Sequence, residues 1–112
     1  LLPCAPGCRQ EPPPEAVRVP LDQLADGRRV TVRWRGEPVE LRQSAAGPVA
    51  RSLTCTHFGC PLRWDEARRR YVCPCHAGQF DEQGQPVAGP PTRPLATLPL
   101  RVVGREVVLG PP

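Results

Sequence analysis

The sequence predicts an all-β fold, a small antiparallel β-sandwich with a loop-rich subdomain raised on it. Three observations carry this. Several segments alternate apolar and polar residues with the period of a strand. The 17 prolines and 10 glycines, set against only two Trp, one Tyr and two Phe, argue for short strands and many turns rather than packed helices. A length of 112 residues suits one domain, and 39% hydrophobic residues is an ordinary fraction for a small globular core.

In chain order, residues 1–16 read as a flexible, proline-rich tail or linker, "LLPCAPGC" followed by "RQEPPPEA". The chain starts at Leu1, so this stretch is compatible with the remnant of a removed signal or anchor. Gly7-Cys8 has the small-residue-then-cysteine form of a bacterial lipoprotein cleavage site, and Cys4 and Cys8 could equally pair with each other or be incidental. No stretch approaches the eighteen or so apolar residues that span a bilayer, so the chain as it stands is expected to be soluble. The domain proper is expected over 17–112.

"LDQLADG" (Leu21 to Gly27) suits one helical turn. "RRVTVRW" (Arg28 to Trp34) alternates, "GEP" turns it, and "VELRQ" (Val39 to Gln43) alternates again, which predicts a hairpin. "GPVARSLT" (Gly47 to Thr54) predicts a third strand running straight into a cysteine cluster. Near the end, "LATLPLRVV" and "EVVLG", broken at Gly104-Arg105, predict a closing hairpin.

The net charge of +4 comes from 15 basic residues, all arginine. The sharpest run, Arg68-Arg69-Arg70, lacks the interleaved aromatics of a nucleic-acid stacking platform. It reads as a solvated turn, with docking of an acidic protein partner as the other use of such a patch. No nucleic-acid partner is expected.

The chemistry lies in two short stretches, "CTHFGC" at 55–60 and "CPCHAG" at 73–78. Cys55-x-His57 and Cys73-x-x-His76 each bring a thiol and an imidazole toward one centre. Two Cys and two His suit a structural zinc equally well, or a two-iron cluster with thiolates on one iron and imidazoles on the other. Cys60 and Cys75 lie beside these ligands and would compete for a zinc as further donors.

The two stretches resemble the cluster-binding boxes of the Rieske iron-sulfur subunit of cytochrome bc and bf complexes. "FDEQGQPVAGPPTRPL" (Phe80 to Leu95) resembles that family's cluster-covering proline loop, and the likeness runs from about Leu53 to Leu109. It implies a Rieske 2Fe-2S cluster in a subdomain spanning about 53–93, with Cys55 and Cys73 on the buried iron and His57 and His76 on the outer one. It further implies a Cys60–Cys75 disulfide, and with it an oxidising, extracytoplasmic (periplasmic) location. Membrane anchoring would come from a missing segment or a lipid. Phe58 and the Gly89-Pro90-Pro91 segment would shield the cluster. His57 or His76 would hydrogen-bond a quinol at a cytochrome b surface, and the electron would pass to a c-type cytochrome. The domain is then an electron-transfer subunit, not catalytic alone.

Dioxygenase Rieske ferredoxins generally lack the second cysteine of each box, whereas arsenite-oxidase-like small subunits keep it; a zinc-stabilised binding module is the remaining alternative. One departure is informative. Where the quinol-oxidising proteins commonly have Gly-Ser-x-Tyr after the second histidine, this chain has Ala77-Gly78-Gln79-Phe80, so the hydroxyls bonding a sulfide and a ligand sulfur are absent. A hydrogen bond to a charged acceptor is worth roughly 1.5–3 kcal/mol, and about 1.4 kcal/mol is about 59 mV for one electron. Losing both lowers the expected potential by on the order of 100–200 mV, toward a menaquinol donor.

Overall fold

The computed structural model describes residues 16–110; Cys4 and Cys8, with all of the expected tail but Ala16, lie outside the described residues. Among the described residues, eleven strands form three antiparallel sheets. Strand β1 (Val17–Pro20) leads into a 3₁₀ segment (Leu21–Gly27), which is interrupted at Ala25 and Asp26. Strands β2 (Val30–Trp34), β3 (Glu37–Ser44) and β4 (Gly47–Ser52) follow as a meander. The cluster loops and four short strands come next: β5 (Arg63–Asp65), β6 (Arg70–Val72), β7 (Gln79–Phe80) and β8 (Pro86–Ala88). The chain closes with β9 (Thr97–Leu98), β10 (Leu100–Val103) and β11 (Glu106–Leu109).

The first predicted hairpin is present, but its turn is Arg35-Gly36 rather than Gly36-Glu37-Pro38. Both turn residues have positive φ, 53° and 79°, the two-residue geometry whose twist matches that of the flanking strands. Trp34 therefore faces Glu37, and Pro38 pairs with Arg33 near the start of β3, where one missing donor is tolerated. The closing hairpin holds as β10 and β11, but Pro99 separates β9, which pairs with β4 instead.

Sheets β1-β11-β10 and β2-β3-β4-β9 enclose one core: Val19, Leu24, Val39, Leu41, Ala50, Val107 and Leu109. Val39 and Leu41 share a face because side chains alternate along a strand. Glu40, between them, points the other way and is nonetheless buried, because the third sheet covers it. That sheet, β5-β6-β7-β8, surrounds a second core of Leu53, Leu62, Tyr71, Phe80 and Leu95, joined by Cys55 and Cys73.

The joint between the two cores is polar. The Glu40 carboxylate accepts hydrogen bonds from the Tyr71 hydroxyl and from Arg29 Nη1 at 2.9 Å. The Arg29 guanidinium lies 3.5 Å over the Trp64 ring, and Arg42 and Arg51 both donate to the Glu82 carbonyl, at 2.6 and 2.9 Å. A buried carboxylate needs such partners. Arg68 and Arg69 lie in the exposed β5–β6 turn as expected, with Arg69 paired to Glu66 and Glu82, whereas Arg70 already belongs to β6, where it pairs with Asp65 and donates to Gln79.

Candidate metal centre

The first loop leaves β4 and folds back on itself. Cys55 N–H donates to the Cys60 carbonyl at 2.8 Å, Gly59 N–H donates to the Cys55 carbonyl at 2.9 Å, and Thr54 bridges to Pro61. Gly59 supplies the turn with a φ of 74°, open to glycine at little cost. The second loop joins β6 to β7, closed by Cys73 N–H on the Gly78 carbonyl at 2.8 Å. Ala77 sits there with a φ of 57°, a conformation that costs an alanine about 1 kcal/mol and is tolerated only where surroundings impose it.

A disulfide between Cys60 and Cys75 ties the two loops together. Cys55 and Cys73 are buried free thiols in the same core. Burial pushes the Cys55 thiol up from its ordinary range and the neighbouring Cys73 adds to this, while the backbone N–H groups of His57 and Phe58, donating to its sulfur, pull the other way. The two imidazoles meet edge to face with centroids 5.1 Å apart, and Phe58 stands against both, at 4.0 Å from His57 and 4.9 Å from His76. Phe58 is 69% exposed, which removes a core role for it.

The donor atoms of Cys60, Cys73 and His76 lie within 4.8 Å of one another. This triad is not the ligand set expected from the sequence, and the Cys60 sulfur is committed to the disulfide and not free to bind a metal. The expected set of Cys55, His57, Cys73 and His76 fits a metal for a different reason. Among the described residues, His57 Nδ1 is buried without a hydrogen-bond partner, a position that costs free energy unless something binds there. A buried, unpartnered imidazole nitrogen two residues from one buried free thiol, with a second buried free thiol on the other loop, is a donor chemistry suited to a thiolate–imidazole iron centre.

Tyr71 does not stand in for the missing tyrosine: its hydroxyl is engaged by Glu40 and by Arg29 at 3.0 Å. Nor does position 78 have room for the missing serine, since a Cβ there would lie 2.8 Å from Pro91 Cγ. Of the expected shielding segment, Pro91 is buried, while Gly89 and Pro90 are exposed. Sequence reasoning missed a clasp between this segment and the first loop. Thr56 Oγ1 donates to the Arg93 carbonyl at 2.8 Å, and Arg93 Nη2 donates to the Thr56 carbonyl at 2.8 Å. No local signal pairs residues so far apart in sequence.

Comparison with known proteins completes this picture. The family description of the Rieske [2Fe-2S] domain matches residues 16–99. Among curated relatives, the carotenoid phi-ring synthase of Chlorobaculum tepidum is 41% identical over 75 residues, 67% of this chain but 12% of that protein. The cytochrome b6-f complex iron-sulfur subunit of Chlorobaculum thiosulfatiphilum is 28% identical over 88 residues, 79% of this chain and 49% of that one. The chain thus spans about half or less of the length of these relatives. Among solved structures, the plasma membrane Rieske protein PetC3 from Synechocystis PCC 6803 superposes with a TM-score of 0.70 at 28% identity, covering 85% of this chain and 99% of that one.

Proposed function

Because the chain belongs to the Rieske [2Fe-2S] domain family and so carries a 2Fe-2S cluster, we propose that Cys55 and Cys73 hold one iron and His57 and His76 the other, and that the domain takes an electron from a quinol and delivers it to a c-type cytochrome. The observation that carries the ligand assignment is the buried, unpartnered Nδ1 of His57, together with the buried free thiols of Cys55 and Cys73. When bound, the cluster supplies a one-electron acceptor whose potential is raised by replacing two thiolates with neutral imidazoles.

The chain's own residues supply the rest. An imidazole that turns Nδ1 inward keeps Nε2 for an outside partner. His76 is exposed, so its Nε2 can accept a hydrogen bond from a quinol hydroxyl and then its proton. Phe58, exposed beside both rings, presents an apolar surface for seating the donor in a cytochrome b-type subunit and keeps water off the imidazoles. The disulfide supports an extracytoplasmic, periplasmic location, since such bonds persist in oxidising compartments. Anchoring by a preceding segment or a lipid belongs to the same reading. Among the described residues no helix is long and apolar enough to cross a membrane.

The donor we assign is a low-potential quinol such as menaquinol. Positions 78 and 80 carry no hydroxyl, and the hydroxyl of Tyr71 is spent at Glu40. The test is low-temperature EPR of the reduced, anaerobically purified protein with a redox titration across pH. A rhombic signal of low average g and a pH-dependent midpoint below that of ubiquinol-type centres is expected. A midpoint as high as theirs removes the menaquinol assignment, and a colourless protein holding one zinc removes the electron-transfer reading. A second reading, service to another oxidoreductase, is favoured by the carotenoid synthase relative, in which the matched segment is a small part of a longer chain. Co-purification with a cytochrome b-type subunit separates the two.

A further inference from the structure

Two glycines lie in backbone contact beside the cluster loops. Gly78 is buried, and it is needed for space rather than for backbone freedom: an added Cβ would stand 2.8 Å from Pro91 Cγ, 3.0 Å from Pro91 Cδ and 3.6 Å from Cys73 Cβ. Gly89, with a φ of +81°, presses from the other side, where an added Cβ would stand 2.7 Å from Gly78 Cα and 3.0 Å from the Ala77 carbonyl oxygen. Those two first contacts are closer than real Cβ atoms come, and their partners, a proline ring and a backbone Cα, cannot swing aside. Gly78 also accepts the Cys73 N–H that closes the second loop. The far end of the same segment is clasped to the first loop through Arg93 and Thr56.

From this packing we propose that Gly78, Gly89 and Pro91 form a close-packed seal over Cys73, in which the bare Cα of Gly78 sets how closely the 89–93 segment closes. Gly78 is then a positioning residue acting through Pro91. The seal controls how far water reaches the inner ligand, and burial disfavours the extra negative charge gained on reduction. The seal therefore holds the potential down as well as the cluster in. The electrochemical part rests on the proposed cluster assignment, whereas the closure itself does not.

The experiment is a double-mutant cycle of Gly78→Ala and Pro91→Ala in the full chain, the second change removing the Cγ and Cδ atoms that a new methyl would meet. Two readouts are taken. In cluster-free protein, alkylation of Cys73 is followed by mass spectrometry, a measure of local opening. In cluster-loaded protein, the midpoint and EPR signal are measured. With Pro91 present, Gly78→Ala is expected to speed Cys73 alkylation by about tenfold or more, as a coupling above about 1.4 kcal/mol requires, and to raise the midpoint. With Pro91→Ala, the same change is expected to have less than about a twofold further effect. Equal effects in both backgrounds, or none in either, overturn the proposal. If Gly78→Ala does not fold, Pro91→Ala alone decides, since it opens the contact without adding bulk and must by itself speed alkylation, while Pro90→Ala at the exposed neighbour must not. If the wild-type chain takes up no cluster, the ligand assignment fails and the alkylation cycle still tests the seal.

Discussion

Replacing Tyr71 by Phe removes one oxygen from the joint between the sandwich and the cluster-binding sheet and leaves the ring in place. The hydroxyl donates to the buried Glu40 carboxylate and accepts from Arg29 Nη1 at 3.0 Å. A hydrogen bond to a charged group is worth about 1.5–3 kcal/mol. Glu40 keeps Arg29 at 2.9 Å, with Arg42 Nε at 3.8 Å, so its charge is not stranded and a loss of about 2 kcal/mol is expected. In a domain of this size that is a fall in melting temperature of roughly 10 °C. The midpoint should not move, because this hydroxyl faces the joint and not a ligand sulfur. Were it bonded to a sulfur, its loss would lower the midpoint by about 60–130 mV, the same 1.5–3 kcal/mol converted at about 59 mV per 1.4 kcal/mol. Thermal melts and a redox titration on one preparation separate the two. A midpoint falling by that amount with an unchanged melt would refute the assignment of Tyr71 to the joint.

Tyr71 is the one tyrosine in the sequence, so phenolate absorbance reports it alone. Burial, followed by Glu40, raises its pKa above the ordinary value of 10.0. Its contribution to stability is therefore intact below about pH 10 and is lost as pH rises through the folded-state value. The native protein should titrate above the protein in denaturant, and Tyr71→Phe should flatten the alkaline stability slope. Cys60→Ser opens a disulfide spanning 15 positions, for which chain entropy gives about 3 kcal/mol. Denaturant unfolding should show a loss of that order, with faster release of iron. Phe58→Ala, at a side chain 69% exposed, should leave the melt within about 0.5 kcal/mol of wild type while slowing quinol oxidation by the assembled complex. Equal damage to both would return Phe58 to a structural role.

Much of this molecule was legible locally. The hairpin β2–β3 announces itself because Val30, Val32, Val39 and Leu41 recur at every second position and pack on one core, whereas β11, buried at Val107, Val108 and Leu109 in succession, reads as a short apolar run beside a turn. The two Cys/His boxes are legible because the donors of each half-site sit within one tight turn. Strands β5 to β8 were not read, since two or three residues cannot display a period. Strand β1, four residues ending in Pro20, gives little more. Pro38, a turn-type residue, shifts the turn expected from the sequence one residue past its place at Arg35-Gly36.

By itself, then, the sequence determined the two Cys/His boxes, the short-strand architecture and the absence of a hydroxyl at positions 78 and 80. It did so because each of these depends on residues near one another in the chain. Only the tertiary structure decided where the hydroxyl of Tyr71 goes, that Glu40 is buried beneath a second sheet, that His57 Nδ1 lacks a partner among the described residues, and that Gly78 is filled by Pro91. These are matters of which surfaces meet. Tyr71 and Glu40 stand 31 positions apart, and no local preference encodes such a contact until the sheets pack and burial makes an unpaired charge or an extra methyl group expensive.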